Sequence, residues 1–239
     1  MLIGGLQKFT ALDYPEKIAA TVFTVGCNFR CPFCHNGEIV TLGVNVPAFI
    51  EENEVLAFLR TRKGQLDGVC ITGGEPTMQA DLIMFIEKIR KMGFLVKLDT
   101  NGFNTRIVQD IIDKNLVDYI AIDIKTSFGK YHLVEAPEAA LEKVLETIDY
   151  ITKKGVKLEL RTTVVPGIVE LEDFKDIVRE INAKSVAILK NLVRYSVQAF
   201  RPQKCLDRKY EAVVPYDDEI LERIAEVMRE HCARVDVLK

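Results

Sequence analysis

Three cysteines, Cys27, Cys31 and Cys34, stand as C-x3-C-x2-C within the stretch TVGCNFRCPFCHNGE. Thiolates are soft donors that suit zinc or iron–sulfur centres. A structural zinc closes its shell with four protein ligands. The nearby candidate for a fourth is His35, which adjoins Cys34 and would converge poorly on the same ion. A four-iron cubane fits the count differently, with three irons on cysteine and one left open for a small molecule. Such a centre performs chemistry, whereas clusters that only store electrons take four cysteines.

Other residues able to do chemistry sit where apolar runs stop. ITGGEP (71–76) offers Gly73 and Gly74 for close backbone approach, the Glu75 carboxylate, and Pro76 to stiffen the exit. LDTNG (98–102) carries Asp99, Thr100 and the turn dipeptide Asn101–Gly102. IDIKT (122–126) carries Asp123 and Lys125, and LRTTVVPG carries Arg161.

These groups need elements to hold them. The runs AATVFTV (19–25), GVCIT (68–72), VKLDT (96–100), YIAIDI (119–124), KLELRTTVV (157–165) and SVAILK (185–190) have the length and composition of strands. Between them the helical period recurs: Val55, Phe58, Leu59; Leu82, Phe85, Ile86, Ile89; Leu141, Leu145, Ile148; Phe174, Ile177, Val178, Ile181; Leu221, Ile224, Ala225, Met228. Alternating strands and helices predict a parallel sheet with right-handed crossovers.

Residues two apart on a strand share a face. Lys97 therefore lies with Asp99, Asp123 with Lys125, and Glu159 with Arg161 and Thr163. The opposite faces carry Val96 and Leu98, then Ile120, Ile122 and Ile124, then Leu158 and Leu160. A flat sheet covered on both sides is apolar on both, so the polar face must be ion-paired or line a wet cavity. The expected fold is α/β, a partial (β/α)6 TIM-like barrel open on one side. It forms a single domain over 1–239, with a lead-in at 1–18.

Composition sets bounds. Of 239 residues, 48% are apolar and 28% charged, with a net charge of −3. That is a globular profile with no basic excess for nucleic acid or an anionic membrane. The first residues show neither a signal peptide nor a spanning helix, which predicts a cytoplasmic protein where disulfides are disfavoured. Cys70 reads as a small buried residue, and Cys205 and Cys232 are isolated. His132 reads as a loop residue of FGKYHLVEAP, His231 as a group near a helix C-terminus, and His35 as ambiguous.

C-x3-C-x2-C after the first strand, with the aromatic Phe33 before the last cysteine, resembles the radical S-adenosylmethionine superfamily. The resemblance implies a [4Fe–4S] cluster on Cys27, Cys31 and Cys34. Its open iron is chelated by the amino and carboxylate groups of S-adenosylmethionine. Gly73, Gly74, Glu75 and Pro76 resemble the segment that hydrogen-bonds the methionine amino group. DTNG and DIK resemble the glycyl-radical-enzyme activating branch. There Asp99, Thr100 and Asp123 would lie beside the cofactor carboxylate, around a monovalent cation, with Lys125 on the same polar face. Arg161 matches an arginine near the cofactor, or pairs internally with Glu159 or Asp123.

LDYPEKIAATVFTVGCNFRCPFCHN and VQAFRPQKCLD look most like activating proteins of anaerobic ribonucleoside-triphosphate reductase. DYP departs from the DGPG of many activating enzymes, and Glu16 stands where relatives often have glycine. The implied partners are a glycyl radical enzyme and flavodoxin or ferredoxin as electron donor. Two other readings stand beside this one: a radical enzyme on a small molecule, resembling 7-carboxy-7-deazaguanine synthases, and a non-catalytic metal-binding or electron-transfer protein.

Overall fold

β-Branched and aliphatic residues at alternate positions form eight strands in the computed structural model, which describes residues 1–40 and 49–239. The strands follow one another in chain order in one sheet, β1 to β8. Two compact units divide the chain: Met1–Asn28, Asn36–Thr100 and Arg106–Ile120 form the first, and Phe29–His35, Asn101–Thr105 and Ala121–Lys239 the second.

In the first unit, β1 (Ile3–Thr10) pairs antiparallel with β2 (Ala19–Thr24). The stretch ahead of the first expected strand therefore carries a strand of its own. A short helix, α1 (Gly37–Val40), and α2 (Glu52–Arg60) precede β3 (Gly68–Gly73). Then come α3 (Leu82–Lys91), β4 (Leu95–Thr100), α4 (Thr105–Asp113) and the start of β5 (Tyr119–Asp123). β2, β3 and β4 run parallel, with Val22 opposite Ile71 and Ile71 opposite Leu98. All three are fully buried, as are Phe85, Ile86 and Ile89 of α3 and Val55 and Leu59 of α2. Burial of each such side chain contributes roughly 1.5–3 kcal/mol. The neighbouring row reads Thr21, Cys70, Lys97 across the three strands.

The second unit contains α5 (Ala140–Lys154), β6 (Lys157–Val164), α6 (Leu171–Lys184), α7 (Ala187–Asn191), β7 (Arg194–Ala199), α8 (Asp218–Arg229) and β8 (Val235–Leu238). β6, β7 and β8 are parallel. The core takes Phe174, Ile177 and Ile181 from α6, Leu221, Ile224 and Met228 from α8, and Ile148 from α5, all at most 1% exposed. On α5 the buried stripe runs Ala140, Val144, Thr147, Ile148, Ile151, while Leu141 is exposed. The helix is thus rotated from its expected face.

One expected strand is a helix. SVAILK (185–190) folds largely into α7, and the strand of that crossover is Arg194–Ala199. Ala187, Leu189 and Lys190 are good helix formers, and an apolar run of six has no period that distinguishes the two states. The true strand does alternate. Tyr195 and Val197 are fully buried, while Arg194 and Ser196 face the carboxylate of Glu159. No helix among the described residues is long and apolar enough to cross a membrane.

Candidate active site

The turn after β3 is built on close backbone contact. Gly73 has φ +116°, and a Cβ there would lie 2.3 Å from the Thr24 nitrogen. A Cβ on Gly74 would lie 2.0 Å from the Gly26 carbonyl oxygen. Only glycine permits this approach. Gly74 N–H donates to Thr24 O at 2.8 Å, and Glu75 N–H to Gly26 O at 2.7 Å. Asn36 Nδ2 donates to Gly73 O at 2.9 Å, and Gln79 Nε2 to Val25 O at 2.7 Å. The backbone leading into Cys27 is thereby fastened to GGEP.

Glu75 is 1% exposed. Its Oε1 accepts from Thr77 N–H (3.1 Å), the Thr77 hydroxyl (2.5 Å) and the Thr100 hydroxyl (2.7 Å). Three donors on one oxygen offset the cost of burying the carboxylate. The ends of β3 and β4 are locked together through it, and Pro76 opens the 3-10 turn Pro76–Met78. Three residues before Thr100, the ammonium of Lys97 hydrogen-bonds Asp99 Oδ1. Both side chains are buried.

In the second unit, Cys31 and Cys34 lie on a loop held at several points. Cys34 N–H donates to Cys31 O (3.0 Å), Leu206 N–H to Cys34 O (3.0 Å) and Asp207 N–H to Pro32 O (2.8 Å). Phe29 packs edge-on against Phe103 at 6.4 Å and Tyr131 at 6.3 Å. Phe33 is buried. His35 Nε2 lies 2.6 Å from the Arg201 carbonyl, which makes that nitrogen the donor, and its ring stacks on Phe200. His35 thus anchors the loop.

Asp123 accepts from Arg161 Nε at 2.7 Å and from Lys125 Nζ at 2.8 Å. Glu159 pairs with Arg194 instead. Burial opposes ionisation of Asp123, but Arg161 and Lys125 outweigh it and hold the carboxyl below the usual carboxylate range. Burial also disfavours the Lys125 ammonium. Asp123, with Cys31 and Cys34, overcomes that and raises its pKa above the ordinary lysine value. Tyr131, in the 3-10 turn Phe128–Val134, keeps its proton chiefly through burial. Asp173 secures that turn, accepting from Ser127 Oγ at 2.6 Å and Lys130 Nζ at 2.8 Å.

All six cysteines are free thiols. Among the described residues no three of His, Cys, Asp and Glu converge to hold one metal ion. A cubane does not require that, since each cysteine takes a different iron. Three cysteines, one short of the four protein ligands of a structural zinc, fit a cluster with one open iron better than zinc. Residues 21–181 match the sequence profile described as the Radical SAM superfamily.

The chain belongs to the radical SAM superfamily. Members use a [4Fe–4S] cluster and S-adenosylmethionine. A protein of Methanocaldococcus jannaschii named as a glycyl-radical enzyme activating enzyme is 35% identical over 92% of this chain and 89% of its own. That relationship sets this radical SAM enzyme in the glycyl-radical-enzyme activating branch. Pyruvate formate-lyase 1-activating enzyme of Escherichia coli is 29% identical over 70% of each chain. The crystal structure of Streptococcus suis SuiB bound to the precursor peptide SuiA superposes with a TM-score of 0.66 at 16% identity. It covers 90% of this chain and 47% of SuiB, and shows a shared radical SAM fold.

Sequence reasoning overlooked several supporting groups of this radical SAM enzyme. Thr77 gave no signal of its own, and Asn36, beside His35 on the cysteine loop, was ambiguous. The Leu206–Asp207 clamp on the cysteine loop is long-range and has no local pattern. Lys97 was visible as the face-mate of Asp99, and that alternation was the clue to its pairing.

Proposed function

We propose that this enzyme installs a glycyl radical on a partner enzyme, with anaerobic ribonucleoside-triphosphate reductase the first candidate. The observation that carries the reading is the sequence of strand ends. C-x3-C-x2-C follows β2, GGEP ends β3, DTNG ends β4 and DIK ends β5. The same chain is 35% identical to a protein named as an activating enzyme of this kind.

Cys27, Cys31 and Cys34 would hold the cluster. Gly73, Gly74, Glu75 and Pro76 would face the amino group of the cofactor's methionine moiety, where exposed peptide groups act as acceptors. Asp99, Thr100, Asp123, Lys125 and Arg161 would orient its polar end, and Phe33 would cover the cluster loop. Lys125 and Arg161 supply fixed cationic donors for a carboxylate. A reduced cluster held there would supply the one electron needed to cleave S-adenosylmethionine reductively to methionine and a 5′-deoxyadenosyl radical, the oxidant for a glycine Cα–H. The protein's task is to position the cofactor and keep water and other hydrogen donors away. Flavodoxin or ferredoxin is the proposed electron donor.

The test is anaerobic incubation of reconstituted, reduced protein with S-adenosylmethionine and candidate glycyl radical enzymes, read by electron paramagnetic resonance. A doublet on the reductase is expected. Production of 5′-deoxyadenosine with no radical on any glycyl radical enzyme overturns the activating role.

A further inference from the structure

The monovalent cation implied beside Asp99 does not fit the groups around that carboxylate. Lys97 is 1% exposed, one of the largest fully buried side chains in the protein. Its ammonium hydrogen-bonds Asp99 Oδ1, lies 3.9 Å from Cys70 Sγ and stands 5.7 Å from the centre of the Tyr119 ring. Lys97 and Asp99 share one face of β4, and Cys70 is the direct cross-strand neighbour of Lys97. The ammonium therefore reaches Asp99 without leaving its strand. Asp123 has its own cations in Arg161 and Lys125.

A bound alkali ion must be drawn from water by unneutralised oxygens. Asp99 already carries a positive charge that is covalently tethered, and a second cation in contact with it would be repelled in a low-dielectric interior. The Tyr119 ring presents its face to the same ammonium and stabilises a charge there.

We propose that Lys97 is a built-in counter-ion for Asp99, a positioning residue that supplies the charge an exchangeable monovalent cation would otherwise provide. The proposal rests on the cofactor-facing role given to Asp99 under the proposed function. It makes cofactor binding by the native protein independent of potassium and sodium.

The test measures S-adenosylmethionine binding to reconstituted protein by equilibrium dialysis, with potassium, sodium or choline as the sole monovalent cation. Wild type is expected to bind equally in all three. Lys97→Met, which keeps the chain length and removes the charge, is expected to weaken about tenfold or more in choline and to recover in potassium or sodium. In parallel, the thermal midpoint of cluster-free Lys97→Met is expected to rise with potassium, while that of wild type does not.

Wild-type binding that collapses in choline overturns the proposal, as does Lys97→Met binding normally in choline. A variant equally weak in every cation marks a purely structural lysine and also overturns it. If the variant does not fold, the wild-type arm decides. If no cofactor binds, the wild-type thermal series decides: a midpoint that rises with potassium but not with choline refutes the built-in charge. Neither arm needs a partner enzyme, so failure of the activating role remains distinguishable.

Discussion

The Thr100 hydroxyl donates a hydrogen bond to Glu75 Oε1 at 2.7 Å, joining the residue that ends β4 to the turn that leaves β3. Glu75→Ala would remove a buried acceptor shared by the Thr77 N–H and the Thr77 and Thr100 hydroxyls, at about 1–3 kcal/mol for the hub as a whole. Thr100→Val removes one bond and is expected to cost about 1 kcal/mol. Urea denaturation of the cluster-free variants checks the ordering. Equal losses would mean that the hub does not hold the two strand ends together.

The carboxyl of Asp123 is depressed below its ordinary value near 3.9. A carboxylate with a lowered folded pKa adds stability above its unfolded pKa and loses that contribution as pH falls through the folded one. Asp123→Asn should flatten the loss of stability between about pH 5 and pH 2. Arg161→Met, leaving only Lys125, should shift that loss to higher pH and cost about 1–3 kcal/mol near neutrality. Urea midpoints measured across this range decide the matter.

Serine at 27, 31 or 34 should reduce bound iron and lower S-adenosylmethionine cleavage by about 100-fold or more, since even groups that only support metal ligands cost 10–100-fold. Cys232→Ala is the contrast. Burial pushes that thiol up to about 12, and it lies far from the C-x3-C-x2-C motif in the chain. Iron and sulfide analysis with 5′-deoxyadenosine assays should separate the two classes cleanly.

Glu16 adopts φ +62° and its side chain is exposed. Left-handed backbone is costly for a residue with a Cβ, and glycine escapes that cost while losing some chain entropy. Glu16→Gly should therefore raise stability by about 0.5–1 kcal/mol, read from the thermal midpoint.

Five of the six expected strands lie where their Val- and Ile-rich runs place them, because those runs carry the apolar face that each strand buries. β7 was missed for the opposite reason. Its Arg194 and Ser196 serve Glu159, and that carboxylate lies a full helix-and-turn away in the chain. The cysteines and the GGEP turn were legible because their spacing is local. The network behind them was not, since Thr77, Asn36 and Asp207 act through bonds that only the folded chain creates. The shared face of Lys97 and Asp99 showed that the charges had to be paired or wet, though not that they satisfy each other.

The two backbone bonds from Leu206 and Asp207 to Cys34 and Pro32 also set an order of events during biosynthesis. A nascent polypeptide exposes its paired thiols long before the ribosome delivers the segment that clamps them. The loop that carries Cys31 and Cys34 therefore takes its final form only after residues 206 and 207 have been made, so its rigidity is a late product of folding rather than a property of the motif itself.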